Sequence, residues 1–156
     1  MLNFLSPTIS HTELARFPMP NTHTYMQFHY PLPYGAILQE AGVQFAVYSR
    51  SATAMRVLLY RRSSDREPYR IVEFNPVSDR WGDIWSVFVP GLRAGQLYHF
   101  QADGPYLPAE GLRFDPHARL IDPYARALAG DFQSGSDGIS RPPKCVVVDD
   151  LFDWQG

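Results

Sequence analysis

Ile84-Trp85-Ser86-Val87-Phe88-Val89-Pro90-Gly91-Leu92-Arg93-Ala94-Gly95-Gln96-Leu97-Tyr98-His99-Phe100-Gln101-Ala102-Asp103 is the stretch on which the fold turns. Both ends alternate. Trp85, Val87 and Val89 share one face of the first run, and Tyr98, Phe100 and Ala102 share one face of the second. Successive side chains on a strand point to opposite sides, so this period of two marks half-buried β-strands. Between the runs, Pro90 restricts φ while Gly91 and Gly95 tolerate positive φ, as a chain reversal requires. The short link predicts that the two strands are antiparallel neighbours.

The same texture extends towards the N-terminus. Val43–Ser49 places Val43, Phe45 and Val47 together, Met55–Tyr60 is a short apolar run, and Tyr69–Phe74 sets Val72 and Phe74 opposite Tyr69, Ile71 and Glu73. A weaker strand at Ala36–Leu38 would pair at the start. Strands beginning at 43, 55, 69, 84 and 97, with Trp81-Gly82-Asp83 and Asp103-Gly104-Pro105 as further turns, indicate an antiparallel sandwich or barrel. Beyond Gly104 the pattern loosens. Asp122-Pro123-Tyr124 through Gly130 carries a cap, a first-turn proline and a terminal glycine, so it reads either as a short helix or as an extended docking segment. Residues 131–143 read as a loop and Cys145–Val148 as a last short strand. The organisation is an N-terminal arm over 1–29, loosely ordered or laid across the domain through Phe17, Tyr25 and Phe28, then a sandwich over 30–106 and an extension and linker over 107–156.

Composition limits the function. With 156 residues the chain is far short of the roughly 250 of a complete eight-fold β/α barrel. Eleven glycines and fourteen prolines disfavour a helical bundle. A net charge of −2 offers no footprint for nucleic acid or an anionic membrane, and no apolar run reaches membrane-spanning length. Cys145 stands alone, which excludes an intrachain disulfide and a cysteine-based zinc site. A soluble, cytoplasmic protein without cofactor is expected.

Chemistry is sparse. Sugar hydrolysis needs two carboxyl groups flanking a bond, yet Asp103 precedes glycine, and Asp115 and Asp122 precede proline, positions where aspartate serves turns and caps. Asp149, Asp150 and Asp153 give no pair either. The five histidines show no ligand spacing, and no nucleophile elbow or phosphate-binding glycine loop occurs. No catalytic and no metal residues emerge. Aromatics are the remaining lead, because sugar rings stack their apolar faces on aromatic planes. Trp85 reads as core, whereas Trp81 beside a turn glycine, Tyr106 after a turn and His99 opposite Phe100 are the candidate glucan contacts.

At this point the residues resemble a known family. Gly42-Val43-Gln44-Phe45-Ala46-Val47-Tyr48-Ser49, Pro90–Tyr98 continuing to Asp103-Gly104-Pro105-Tyr106, Arg113-Phe114-Asp115-Pro116, Ile121–Ala127, and Pro143–Asp149 with Phe152-Asp153-Trp154 are similar, in order, to motifs of the N-terminal domain of isoamylases and bacterial glycogen debranching enzymes. The resemblance implies an immunoglobulin-like, early-set sandwich of carbohydrate-binding module family 48. It implies a non-catalytic module whose family partner is a glycoside hydrolase barrel cleaving α-1,6 branches, absent from this chain. Glycogen-binding relatives carry a tryptophan after the Asp-Gly turn and a lysine in the preceding strand; Tyr106 and His99 stand at those places here, and Asp150 replaces a usual proline. Two roles follow as expectations: docking on the catalytic barrel through Phe114, Tyr124, Phe152 and Trp154, or free-standing binding of α-glucan such as glycogen, amylopectin or malto-oligosaccharide.

Overall fold

The computed structural model describes residues 33–134 and 140–149. The N-terminal arm and the Phe152–Trp154 end lie outside those residues. Among the described residues thirteen strands follow in order: β1 Gly35–Gln39, β2 Gly42–Tyr48, β3 Ala54–Tyr60, β4 Arg70–Glu73, β5 Arg80–Trp81, β6 Ile84–Pro90, β7 Leu97–Asp103, β8 Tyr106–Leu107, β9 Leu112–Arg113, β10 Leu128–Ala129, β11 Gln133–Ser134, β12 Ser140–Arg141 and β13 Lys144–Val146. Among the described residues the only helical element is a single 3₁₀ turn at Pro108–Glu110. The fold is an all-β, immunoglobulin-like sandwich.

Two antiparallel sheets face each other. The first runs β1-β2-β6-β5 and the second β10-β13-β7-β3-β4, with β8-β9 and β11-β12 as small separate ribbons. The inward faces follow the alternation in the sequence. Val43, Phe45, Val47, Trp85 and Val89 from the first sheet meet Met55, Val57, Leu59, Tyr98, Phe100 and Ala102 from the second in one buried cluster. Phe45 packs edge-on against Tyr98 at 5.0 Å between ring centroids, the arrangement that ring quadrupoles favour. Burying a side chain of this kind contributes about 1.5–3 kcal/mol each, so the cluster dominates the stability of the sandwich.

One expectation is corrected. β6 and β7 are not neighbours: β6 pairs with β2 and β5, whereas β7 pairs with β3 and β13. The link through Gly91 and Gly95 arches from one sheet to the other. Gly91 N–H donates to Ala41 O and Gly95 N–H to Val147 O, both at 2.8 Å, so each end of the arch is tied to its own sheet. Tight turns permit a hairpin but do not impose one. Here each strand pairs along its full length with a different strand, over seven register pairs in β2·β6 and seven in β3·β7.

The open choice over Asp122–Gly130 resolves to a turn and an extended strand. Tyr124 N–H donates to Asp122 Oδ1 at 2.8 Å, and the chain then straightens into β10, which pairs with β13. A marginal helix yields to sheet hydrogen bonds that a preformed edge supplies. β13 in turn bonds to β7, so the segment after the sandwich strands completes the second sheet.

Candidate functional site

His99 is where the structure departs most from the sequence reading. It projects from β7 on the outer face of the second sheet, yet only 2 % of it is exposed. Its Nε2 bonds to the carbonyl of Pro143 at 3.0 Å, its Nδ1 lies 3.5 Å from the Tyr60 hydroxyl, and its ring meets Tyr60 edge-on. Leu58, Tyr60 and Leu97 form a second small core on this face with Ala129 and Val146. The single lysine, Lys144, donates to Ser63 O at 2.7 Å and sits 4.6 Å above the Tyr60 ring. His99, expected at a glucan surface, is therefore not exposed to a ligand here: the chain's own extension covers the face it points to. Burial holds its pKa below the ordinary histidine range.

The aspartates behave as turn and pairing residues. Asp115 Oδ1 accepts from His117 N–H at 2.8 Å, a local Asx turn. Asp103 forms a two-pronged bridge to Arg56 at 2.8 and 2.9 Å, which holds its carboxyl below the usual range. Asp122 has a role the sequence did not show. Its Oδ2 accepts from the Tyr98 hydroxyl at 2.7 Å, and its N–H donates to Cys145 Sγ at 3.2 Å, so one buried residue ties β7, β13 and the 122–125 turn together. No local signal in the sequence links positions 98, 122 and 145. Burial raises the Asp122 carboxyl and pushes the Cys145 thiol up to about 11, the inert condition of a structural cysteine.

Trp81 and Tyr106 are both on the surface, 55 % and 68 % exposed, but on different elements. Tyr106 stands on the β8-β9 ribbon opposite Arg113. Trp81 lies on β5 at the end of the first sheet, opposite Ile84, which also pairs with Tyr48 on its other side. Gly82, at φ +61°, opens the two-residue loop between Trp81 and Ile84, as a tight hairpin of the II′ kind demands. Arg80 braces this end. Its guanidinium lies 4.8 Å over the Trp85 ring and donates to the carbonyls of Gly82, Ala52 and Arg50. Tyr48 is a residue the sequence reading missed: it is half-exposed and donates its hydroxyl to Asp83 Oδ2 at 3.2 Å. A shallow cavity of about 500 Å³ opens beside it, reaching Arg50, Arg113 and Asp115.

Of the residues expected to dock on another domain, Phe114 is half-buried with its ring against Gly104 and the core. Tyr124 is 48 % exposed and stacks one side of its ring on Tyr34 at 4.9 Å. Leu120, Ile121, Leu128 and Phe132 on the same segment are exposed as well. Among the described residues no group of His, Cys, Asp or Glu could hold a metal ion, and no helix is long and apolar enough to cross a membrane.

The geometry is thus a braced antiparallel sandwich with exposed Trp81 and Tyr106 on separate elements and a shallow cavity beside Tyr48. Residues 33–125 match the model of carbohydrate-binding module 48, the isoamylase N-terminal domain, and the chain belongs to that family. It is 39 % identical to a glycogen debranching enzyme of Yersinia enterocolitica over 81 % of this chain, and 38 % identical to that of Serratia proteamaculans over 79 %. The chain spans about 20 % of the length of these curated relatives, so by itself it is a non-catalytic module. Among solved structures, a pullulanase from Paenibacillus barengoltzii shares the fold at a TM-score of 0.56 and 17 % identity, over 75 % of this chain and 15 % of that one. The Group B Streptococcus pullulanase shares it at 0.56 and 19 %, over 75 % of this chain and 14 % of the other.

Proposed function

We propose that this chain is the accessory module of an α-1,6-glucan debranching glycoside hydrolase, packing against the catalytic domain and helping to hold branched α-glucan at its groove. The observation that carries the docking role is the row of exposed apolar side chains along one anchored segment. Leu120, Ile121, Tyr124, Leu128 and Phe132 are each 40–62 % exposed. Such side chains on a segment fixed to its own sandwich by β10-β13 pairing and by Asp122 are costly to leave in water as a patch. The match to a fifth of a debranching enzyme supports a catalytic domain as the surface that covers them.

The test uses the Yersinia enterocolitica relative with its matching fifth removed. Sedimentation of that remainder with the 156-residue chain is expected to show a one-to-one complex. Tyr124→Asp and Leu128→Asp should each weaken it tenfold or more while leaving the fold intact. Absence of any complex with the wild-type chain would overturn the docking role and leave glucan binding as the function.

A further inference from the structure

We infer that an α-glucan chain is held at the end of the first sheet, across Tyr48, Ile84 and Trp81 and into the adjoining cavity, and not on the outer face of the second sheet that carries His99. The inference rests on the α-glucan reading above and adds the place.

Register brings the two rings together. Tyr48 and Trp81 both pair with Ile84, from opposite sides. Residues directly opposite in antiparallel pairs project to the same face, and the two aromatics stand two strand spacings apart, about 10 Å. That face is the outer one, since Val47 and Trp85 point into the core. Tyr48 is 48 % and Trp81 55 % exposed, with Ile84 as an apolar floor between them. A row of two rings with an aliphatic centre offers successive stacking platforms to a chain of sugars.

The polar surroundings fit an uncharged polyhydroxyl ligand. Arg50 is paired with Asp83 at 3.1 Å, and Asp83 also accepts the Tyr48 hydroxyl, so charges here are balanced while both paired side chains keep exposed surface. Tyr48 and Arg50 continue into the cavity of about 500 Å³, where Arg113 and Asp115 again bring opposite charges. An anionic ligand would meet a carboxylate at both stations. Arg80 is the positioning residue: by bonding the carbonyls of Arg50, Ala52 and Gly82 it locks the Ser49–Ala52 loop to the hairpin before any ligand arrives. The opposite surface lacks this openness, because Pro143 and Lys144 already cover His99 and Tyr60.

Maltoheptaose titrated into the ¹⁵N-labelled 156-residue chain tests both the place and the ligand. Saturable amide shifts centred on residues 48–51 and 81–84 are expected. Trp81→Ala and Tyr48→Ala should each weaken binding at least tenfold, and Trp81→Phe, which keeps a ring, should retain most of it; unchanged melting confirms that the variants fold. If wild-type and both alanine variants bind equally, the place assigned here is wrong and the α-glucan reading stands. If the wild-type chain gives no shifts at millimolar sugar, both fall.

Discussion

Burial disfavours a charge on His99, and this gives the chain a pH dependence that can be read in one residue. The ring is buried, its Nε2–H points at the Pro143 carbonyl, and a proton on Nδ1 would add charge next to Lys144. Its folded pKa therefore lies below the ordinary 6.5. The stability it allows is whole above 6.5 and drains away as the pH falls from 6.5 towards the depressed folded value, because the unfolded chain takes up the proton first. Melting temperature should fall between about pH 7 and about pH 5, and His99→Gln, which keeps a donor for Pro143, should flatten that fall. A wild-type slope unaltered in the variant would show that other groups set it. Asp122 works in the opposite sense. Its folded pKa is raised above 3.8 by burial, so its contribution is greatest in acid and declines as the pH rises through the folded value. Asp122→Ala would leave the Tyr98 hydroxyl and the Tyr124 N–H without their acceptor, a loss of about 2–4 kcal/mol in denaturant unfolding. Asp122→Asn keeps an acceptor oxygen and should lose distinctly less.

The junction between β7 and the β8-β9 ribbon is decided by a close approach. A Cβ built on Gly104 would lie 2.5–2.7 Å from three atoms of the Phe114 ring. Gly104→Ala must push that ring off the core, with an expected cost of about 1–3 kcal/mol as for other overpacked sites. Adding Phe114→Leu should recover part of it, since a smaller side chain relieves the contact. Calorimetric melting of the single and double variants measures both, and strictly additive losses would contradict the coupling. Element pairing also explains why the Pro90–Gly95 link is an arch between sheets and not the hairpin its turn residues suggest. Turn chemistry specifies that the chain reverses, whereas the choice of neighbour depends on which long strands are available, and β2 and β3 lie far from the turn in sequence.

For the whole molecule, the proposed role is that of a module that acts beside a catalytic domain. The purified 156-residue chain should release no reducing ends from pullulan, glycogen or amylopectin beyond a buffer blank. Hydrolysis that persists through further purification would contradict the reading. Its surface is divided accordingly: the outer face of the second sheet is closed by Ala129 and by Pro143, Lys144 and Val146, the apolar side chains from Leu120 to Phe132 remain outward, and Tyr48 and Trp81 at the end of the first sheet stay exposed.

The alternation of Val43–Val47, Trp85–Val89 and Tyr98–Ala102 was enough to determine an all-β fold and its core, because burial imposes a period of two wherever one sheet face meets another. The ordered motifs from Gly42 to Asp149 likewise carried the family. Tertiary structure alone decided the rest. Whether His99 meets solvent depends on Pro143, forty-four residues away. Whether Tyr48 and Trp81 share a row depends on both pairing with Ile84. Contacts between distant positions leave no local period, so they become visible only when the strands are laid side by side.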